Sequence, residues 1–366
     1  AAPDAIAVNT LLPSLANLHS HSFQRAMAGM TEFRAAGQDS FWTWRTLMYR
    51  FMDHITPDHY EAIAALVFME MQEAGYASVG EFHYVHHQLG GQPYDDLSEL
   101  SARVFAAAAH TGIGLTHLPV LYSYGGAGKA TLNGGQLRFG NDVDRFGALV
   151  AQARDRAARD LPEDTQVGIA PHSLRATCPD DLSVVLADAP NGPVHIHVAE
   201  QPKEVADISA WLGARPVQWL LDNAGVDPRW CLIHATHMTG AETQAMAQSG
   251  AVAGLCPITE ANLGDGPFNG VDYLAAGGAF GIGSDSNVRI ALSEELRMLE
   301  YSQRLRDLAR NVLVPQAGSV GDHLYLGAAQ GGAQALNRGS GQIEVGALAD
   351  LVAINRDTPA LCALND

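Results

Sequence analysis

Two histidines set two residues apart, in Asn17-Leu18-His19-Ser20-His21, are the first place where this chain could do chemistry. Residues i and i+2 of a strand share a face, so the two imidazoles aim at one point. Neutral imidazole is a common zinc ligand, and the pair reads as half of a metal site. Related groups recur in His195-Ile196-His197-Val198-Ala199-Glu200, in His234-Ala235-Thr236-His237 and in Gly283-Ser284-Asp285-Ser286. Each closes a short apolar run. Alternation does not separate His195 from His197, because both face the same way. The position nearer the strand end favours His197 and leaves His195 deeper, as a packing residue. The same logic favours His234 over His237, which can still touch a substrate from a loop.

The count of metals follows from what is scarce. A binuclear site needs a bridging group, often a carbamylated lysine. The chain has only Lys129 and Lys203. Lys129 lies in the Gly-rich stretch 125–135 and Lys203 at a helix start, so neither is on a strand. One metal is favoured over a lysine-bridged pair.

The elements that must position these residues are legible as patterns. Eight apolar, β-rich runs cover residues 15–19, 77–83, 114–121, 167–172, 194–198, 230–234, 251–256 and 279–283. Near-continuous apolar runs suit parallel strands buried on both faces. Helical patterns lie between them, at 60–74, 97–110, 143–158, 202–212 and 242–249. Eight strand-then-helix units predict an α/β chain, a (β/α)8 TIM-like barrel, with the histidines and Asp285 at its C-terminal mouth. Two more helices, over 294–313 and around 322–336, follow the eighth strand, and residues 349–355 read as a lone extra strand. The expected organisation is a barrel over 15–337, flanked by residues 1–14 and 338–366 as parts of a small, incomplete β-sandwich.

Composition bounds the partners. The net charge is −18 and 47% of the 366 residues are hydrophobic. An acidic surface repels phosphate backbones and anionic membranes, so neither nucleic acid nor membrane is expected. An anionic small substrate would need arginines placed for it. The four cysteines, Cys178, Cys231, Cys256 and Cys362, form no close pair, which suits a reducing compartment. No apolar run reaches the roughly 18 residues of a membrane helix. The start Ala1-Ala2-Pro3-Asp4-Ala5 has no basic, apolar leader pattern. A cytoplasmic enzyme is expected.

With these motifs in place, the chain resembles the amidohydrolase superfamily in its mononuclear-zinc deaminase branch, and within it the formimidoylglutamate deiminase family. The stretches that carry the resemblance include 17–27, Ser40-Phe41-Trp42-Thr43-Trp44-Arg45 and Glu81-Phe82-His83-Tyr84-Val85-His86-His87. They continue through Pro171-His172-Ser173-Leu174-Arg175-Ala176, 195–201, Thr259-Glu260-Ala261-Asn262-Leu263-Gly264-Asp265-Gly266 and 283–286. The resemblance implies one zinc held by His19, His21, His197 and Asp285. It implies that Asp285, His234 and Glu200 carry the proton chemistry, and that Gln24, Arg45, Tyr84, His172 and Arg175 bind substrate. It further implies N-formimino-L-glutamate as substrate, a small dicarboxylate whose hydrolysis in histidine degradation gives N-formyl-L-glutamate and ammonia, and a homodimer.

Arginine forms bidentate pairs with carboxylates, so Arg45 and Arg175 independently suit a dicarboxylate. Which arginine holds which carboxylate is not assigned by sequence. His83, His86 and His87 lack a fourth ligand and read as supporting or loop residues. Trp42 and Trp44 cannot face the same way on a helix, so at least one is core. Two other readings compete: a zinc deaminase of a purine, pyrimidine or adenosine-like ring, and a barrel that has become a non-catalytic scaffold. A ring substrate would call for stacking aromatics in place of two arginines, and a scaffold would have shed its ligands.

Overall fold

The computed structural model describes residues 6–34, 37, 39–189, 191–314 and 317–363. The outermost residues of the two flanking segments, 1–5 and 364–366, lie outside the described residues, and with them the leader reading. The first strand, β1, is Thr10–Pro13. The barrel strands follow as β2 Leu15–Ser20, β3 Tyr76–His83, β4 Gly114–Leu121, β5 Gln166–Val167, β6 Ala170–Pro171, β7 Val194–Val198, β8 Trp230–His234, β9 Val252–Leu255 and β10 Ala279–Ile282. The last strand, β11, is Leu351–Ile354.

All barrel pairings are parallel. One run is β2-β3-β4 with β5 and β6, and the other is β7-β8-β9-β10. Bridges join the runs at both edges, Ser20 to Asp285 and Ile169 to Val194. The chain is thus a (β/α)8 barrel, as the alternation of patterns predicts.

The fourth strand departs from expectation. It is two short pieces and not one run, although both keep the same register on β4. Between them, Ile169 turns its backbone to the other neighbour: its N–H donates to the Pro193 carbonyl at 3.1 Å and its carbonyl accepts from His195 N–H at 3.1 Å. Gly168 permits the approach, since a Cβ there would lie 2.4 Å from the Pro193 oxygen.

The seam between the first and last barrel strands carries a buried polar ring. Asn17 Nδ2 donates to Ser284 Oγ at 2.6 Å and Asn17 Oδ1 accepts from Ser284 N–H at 3.0 Å. Asn287 Nδ2 donates to Ser20 Oγ and to the His21 carbonyl, both at 3.1 Å. Gly283 is forced to be glycine: a Cβ there would meet the His19 backbone oxygen at 2.7 Å. This ring fixes where β2 and β10 end, and so where His19, His21 and Asp285 stand.

Helices begin where proline or a capping residue stops the preceding strand-end loop. Pro202 and Pro257 occupy first turns, and Thr56, Asp142 and Thr239 accept the amide three residues on. The helix Val320–Ala335 lies under the barrel, where His195 Nε2 donates to the Ala335 carbonyl at 2.8 Å. His195 therefore packs deep, away from the mouth. The 349–355 strand is not alone: β11 pairs antiparallel with β1. Among the described residues, no helix is long and apolar enough to cross a membrane.

Candidate active site

Strands β2, β7, β8 and the turn after β10 deliver five buried side chains to one point. His19 Nε2 lies 3.5 Å and His21 Nε2 3.3 Å from Asp285 Oδ1. His197 Nε2 faces His19 Nε2 at 3.1 Å, and His234 Nε2 stands 3.9 Å from Asp285 Oδ2. Donor atoms of His19, His21 and His197 lie within 4.8 Å of one another, as do those of His19, His234 and Asp285.

The far ring nitrogens decide which lone pairs face inward. His21 Nδ1 donates to the Phe82 carbonyl at 3.0 Å and His197 Nδ1 to the His172 carbonyl at 3.1 Å. Both Nε2 atoms are then unprotonated acceptors. This is the outer support that metal-binding histidines ordinarily have. Burial lowers the pKa of His19 to about 3 and also lowers those of His21 and His197, so all three rings are neutral. Burial works against the Asp285 carboxylate, yet the His19 hydrogen bond and the surrounding histidines hold it below the usual range. Two neutral imidazoles with lone pairs inward, His21 and His197, together with the His19 ring and the Asp285 carboxylate, fit a divalent ion and suit zinc.

His234 differs from the other histidines. Burial disfavours its charge, but Glu200, Glu260 and Asp285 around it push its pKa up to about 10. Its Nδ1 donates to Glu260 Oε1 at 3.2 Å, and its Nε2 lies 3.9 Å from Glu200 Oε1. Burial raises the pKa of Glu200, with His234 and Arg175 opposing.

A cleft opens on this cluster. Its lining includes Gln24, Arg45, Tyr84, His172 and Arg175, together with His21, His197, Glu200, His234 and Asp285. Gln24 Nε2 donates to Tyr84 OH at 2.7 Å, and Gln24 Oε1 is buried with no partner among the described residues. Arg45 Nη2 donates to Tyr122 OH at 2.7 Å, and its guanidinium stands over the Tyr49 ring at 5.3 Å. Arg175 Nη2 donates to Glu200 Oε2 at 3.3 Å. His172 Nδ1 pairs with Ser173 Oγ at 3.0 Å.

Several lining residues escaped the sequence reading: Phe41, Trp44, Met48, Thr259, Leu263 and Ser286. Most lie inside the motifs quoted above, and their signal was proximity to a named residue. Tyr122, behind Arg45, had no signal at all. Five non-glycine residues with φ between 46° and 67°, Ala199, His234, Ala235, Asp285 and Asn287, sit at these strand ends. Such strain concentrates at functional sites.

His83, His86 and His87 stand outside the cluster. His83 Nδ1 meets Tyr60 OH at 3.1 Å, His86 Nε2 donates to the Val120 carbonyl at 3.0 Å, and His87 Nε2 to the Gly140 carbonyl at 2.9 Å. Lys129 and Lys203 pair with Asp180 and Asp207, away from the histidine–aspartate cluster.

Known proteins share this chain's sequence and fold. The model of the amidohydrolase family matches residues 10–365. A formimidoylglutamate deiminase of Pseudomonas aeruginosa is 51% identical over 358 residues, covering 96% of this chain and 78% of that protein. The crystal structure of an amidohydrolase from Brucella melitensis superposes with a TM-score of 0.94 at 52% identity, covering 98% of this chain and 79% of that one. An adenosine deaminase from Xanthomonas campestris, solved with bound zinc, shares the fold at a TM-score of 0.77 and 23% identity, over 97% of this chain and 74% of its own. The chain belongs to the amidohydrolase family.

Proposed function

We propose that this chain hydrolyses N-formimino-L-glutamate to N-formyl-L-glutamate and ammonia, the activity named for its Pseudomonas aeruginosa relative. The observation that carries the reading is the pairing of two guanidinium groups, Arg45 and Arg175, with a three-histidine, one-aspartate cluster in a single cleft. A purine deaminase has no use for two carboxylate anchors.

His19, His21, His197 and Asp285 would hold one divalent metal, in our reading zinc. When bound, zinc acts as a Lewis acid and lowers the pKa of water from 15.7 to about 7.

The chain's own residues then do the following. Arg45 and Arg175 bind the two carboxylates as charge-assisted pairs. Gln24 and Tyr84 hold the substrate against the cleft wall, and the free Gln24 Oε1 accepts an N–H from it. His172 adds a further polar contact. Glu200 hydrogen-bonds the formimino nitrogens. Asp285 Oδ2 accepts a proton from the attacking water, and His234, 3.9 Å away, orients it. Water oxygen adds to the formimino carbon as this first proton passes to the terminal nitrogen; the proton of the added hydroxyl then follows through Asp285 to the same nitrogen, the carbon–nitrogen bond breaks, and ammonia leaves N-formylglutamate behind. General acid–base help of this kind is worth about 10²–10⁴-fold.

A homodimer, which rests on the family resemblance, and a cytoplasmic location, which rests on the scattered cysteines, belong to the same proposal. So does the division into a barrel over 15–337 with flanking segments 1–14 and 338–366.

The test is ammonia release from N-formimino-L-glutamate, beside adenosine and guanine, with products followed by NMR. N-formylglutamate and ammonia are expected. Formamide and glutamate as products, or turnover of a base alone, would sink the reading.

A further inference from the structure

Glu204 sits behind the cleft and does not line it. It is fully buried and is the third residue of the helix Pro202–Leu212. A glutamate at that position ordinarily reaches back to the amide of the residue just before the helix. Here that residue is Gln201, and Glu204 passes it by. Its Oε1 accepts the Ala199 N–H and its Oε2 the Glu200 N–H, each at 3.1 Å. The same Oε2 lies 3.7 Å from Arg175 Nε. Arg175 Nη2 is in turn bonded to Glu200 Oε2 at 3.3 Å. One carboxylate therefore grips the peptide that carries Glu200 and faces the arginine that Glu200 also faces.

The turn needs that grip. Ala199 has φ of 51°, a left-handed conformation that an alanine rarely holds. Burying the Ala199 and Glu200 amides requires acceptors, and Glu204 supplies both from one side chain. The arginine contact adds a second consequence. A guanidinium facing one carboxylate tends to close on it as a bidentate pair. With Glu204 on its other side, Arg175 is divided between two carboxylates. Its contact with Glu200 stays single, and its Nε makes no hydrogen bond among the described residues.

We infer that Glu204 is a positioning residue for the reaction. It fixes the Ala199–Glu200 turn and keeps Arg175 from closing on Glu200, so that both groups meet the substrate already arranged. This rests on the roles proposed above for Glu200 and Arg175. A glutamate that merely capped a helix would act on stability alone. One that presets Glu200 acts on turnover, and only while Glu200 is present.

The experiment is a double-mutant cycle of Glu204→Gln and Glu200→Gln, with zinc content, Tm, kcat and KM for each protein. Glu204→Gln is expected to bind zinc like the wild type. Its kcat should fall about 10- to 100-fold, the scale of a 1 Å misplacement, with KM within about threefold. In the Glu200→Gln background the further loss should be under about threefold, because the two residues act as a unit. Equal losses in both backgrounds, or an unchanged kcat, would overturn the inference. If the Gln variant does not fold, Glu204→Asp retains the charge but withdraws the carboxylate, and the same non-additivity is expected. A wild type that releases no ammonia from N-formimino-L-glutamate defeats the functional reading instead. The crystal structure of Glu204→Gln then decides on Glu204 alone: closure of Arg175 onto Glu200 as a bidentate pair supports the inference, and an unmoved pair refutes it.

Discussion

Removing one hydroxyl, by Tyr122→Phe, tests how the cleft holds Arg45. Tyr122 is buried just past β4 and touches neither the histidines nor Asp285 by hydrogen bond. Its OH accepts from Arg45 Nη2 at 2.7 Å and from Gln136 Nε2 at 3.2 Å. Arg45 stands on a helix, Phe41–Met52, that crosses the mouth, so this bond ties that helix to the barrel. A hydrogen bond to a charged group is worth about 1.5–3 kcal/mol, and each 1.4 kcal/mol is tenfold. The variant should therefore lose about 10- to 150-fold in kcat/KM, mostly through KM, because substrate capture and not the bond-breaking step uses Arg45. Steady-state ammonia release measures it. In an Arg45→Ala background the same change should cost little, since the partner is gone. A KM within about twofold of wild type, or an undiminished effect without Arg45, would refute the assignment of Arg45 as a held anchor.

Arg175→Ala removes the counter-charge of two buried carboxylates, Glu200 and Glu204. Breaking a buried pair costs about 3–5 kcal/mol, so urea unfolding should show that loss beside a large rise in KM. Dialysis against a chelator should abolish activity and lower Tm, and metal analysis after zinc addition should return close to one equivalent, as an N3O site requires. His21→Ala should fail to take up that equivalent. Glu260→Gln weakens the acceptor for His234 Nδ1, at 3.2 Å, and should lower kcat about 10- to 100-fold with little change in KM, read in the same ammonia assay.

Much of this architecture is legible in local patterns. The expected strands at 114–121, 194–198 and 230–234 coincide with β4, β7 and β8, because an apolar run buried on both faces has one period and clear ends. The histidine–aspartate cluster is legible for a related reason: it gathers residues that close such runs, although His83 closes β3 without joining it. The partners of those residues are not legible. Arg45 and Tyr122 are 77 residues apart, and nothing local in either segment indicates that they meet. Glu204 reads as an ordinary first-turn acid favoured by the helix dipole. Its acceptor role depends on a left-handed turn at Ala199, where sequence offers no glycine or asparagine as a sign. The broken fourth strand was hidden likewise, since its cause is a neighbour's backbone.

Those left-handed residues also explain how a rigid barrel can aim side chains at one point. A strand that continued would send successive side chains alternately into the barrel and out of it. At the mouth the chain must instead turn sharply while still presenting His234 and Asp285 inward, and φ values of 67° and 48° accomplish that turn. Left-handed backbone at a non-glycine costs about 1–3 kcal/mol per residue, so it persists only where the surroundings over-determine it. Here they do. Asp285 N–H donates to the His19 carbonyl and Asp285 carbonyl accepts from His21 N–H, both at 2.9 Å, while Ala235 N–H reaches the Val198 carbonyl at 3.0 Å. The strained residues on one strand are thus held by backbone groups of the next, and the same bonds set the spacing between their side chains. Barrel closure and ligand geometry are one constraint. A substitution that opened the seam, such as Gly283→Ala against the His19 backbone, should therefore cost metal affinity as well as stability.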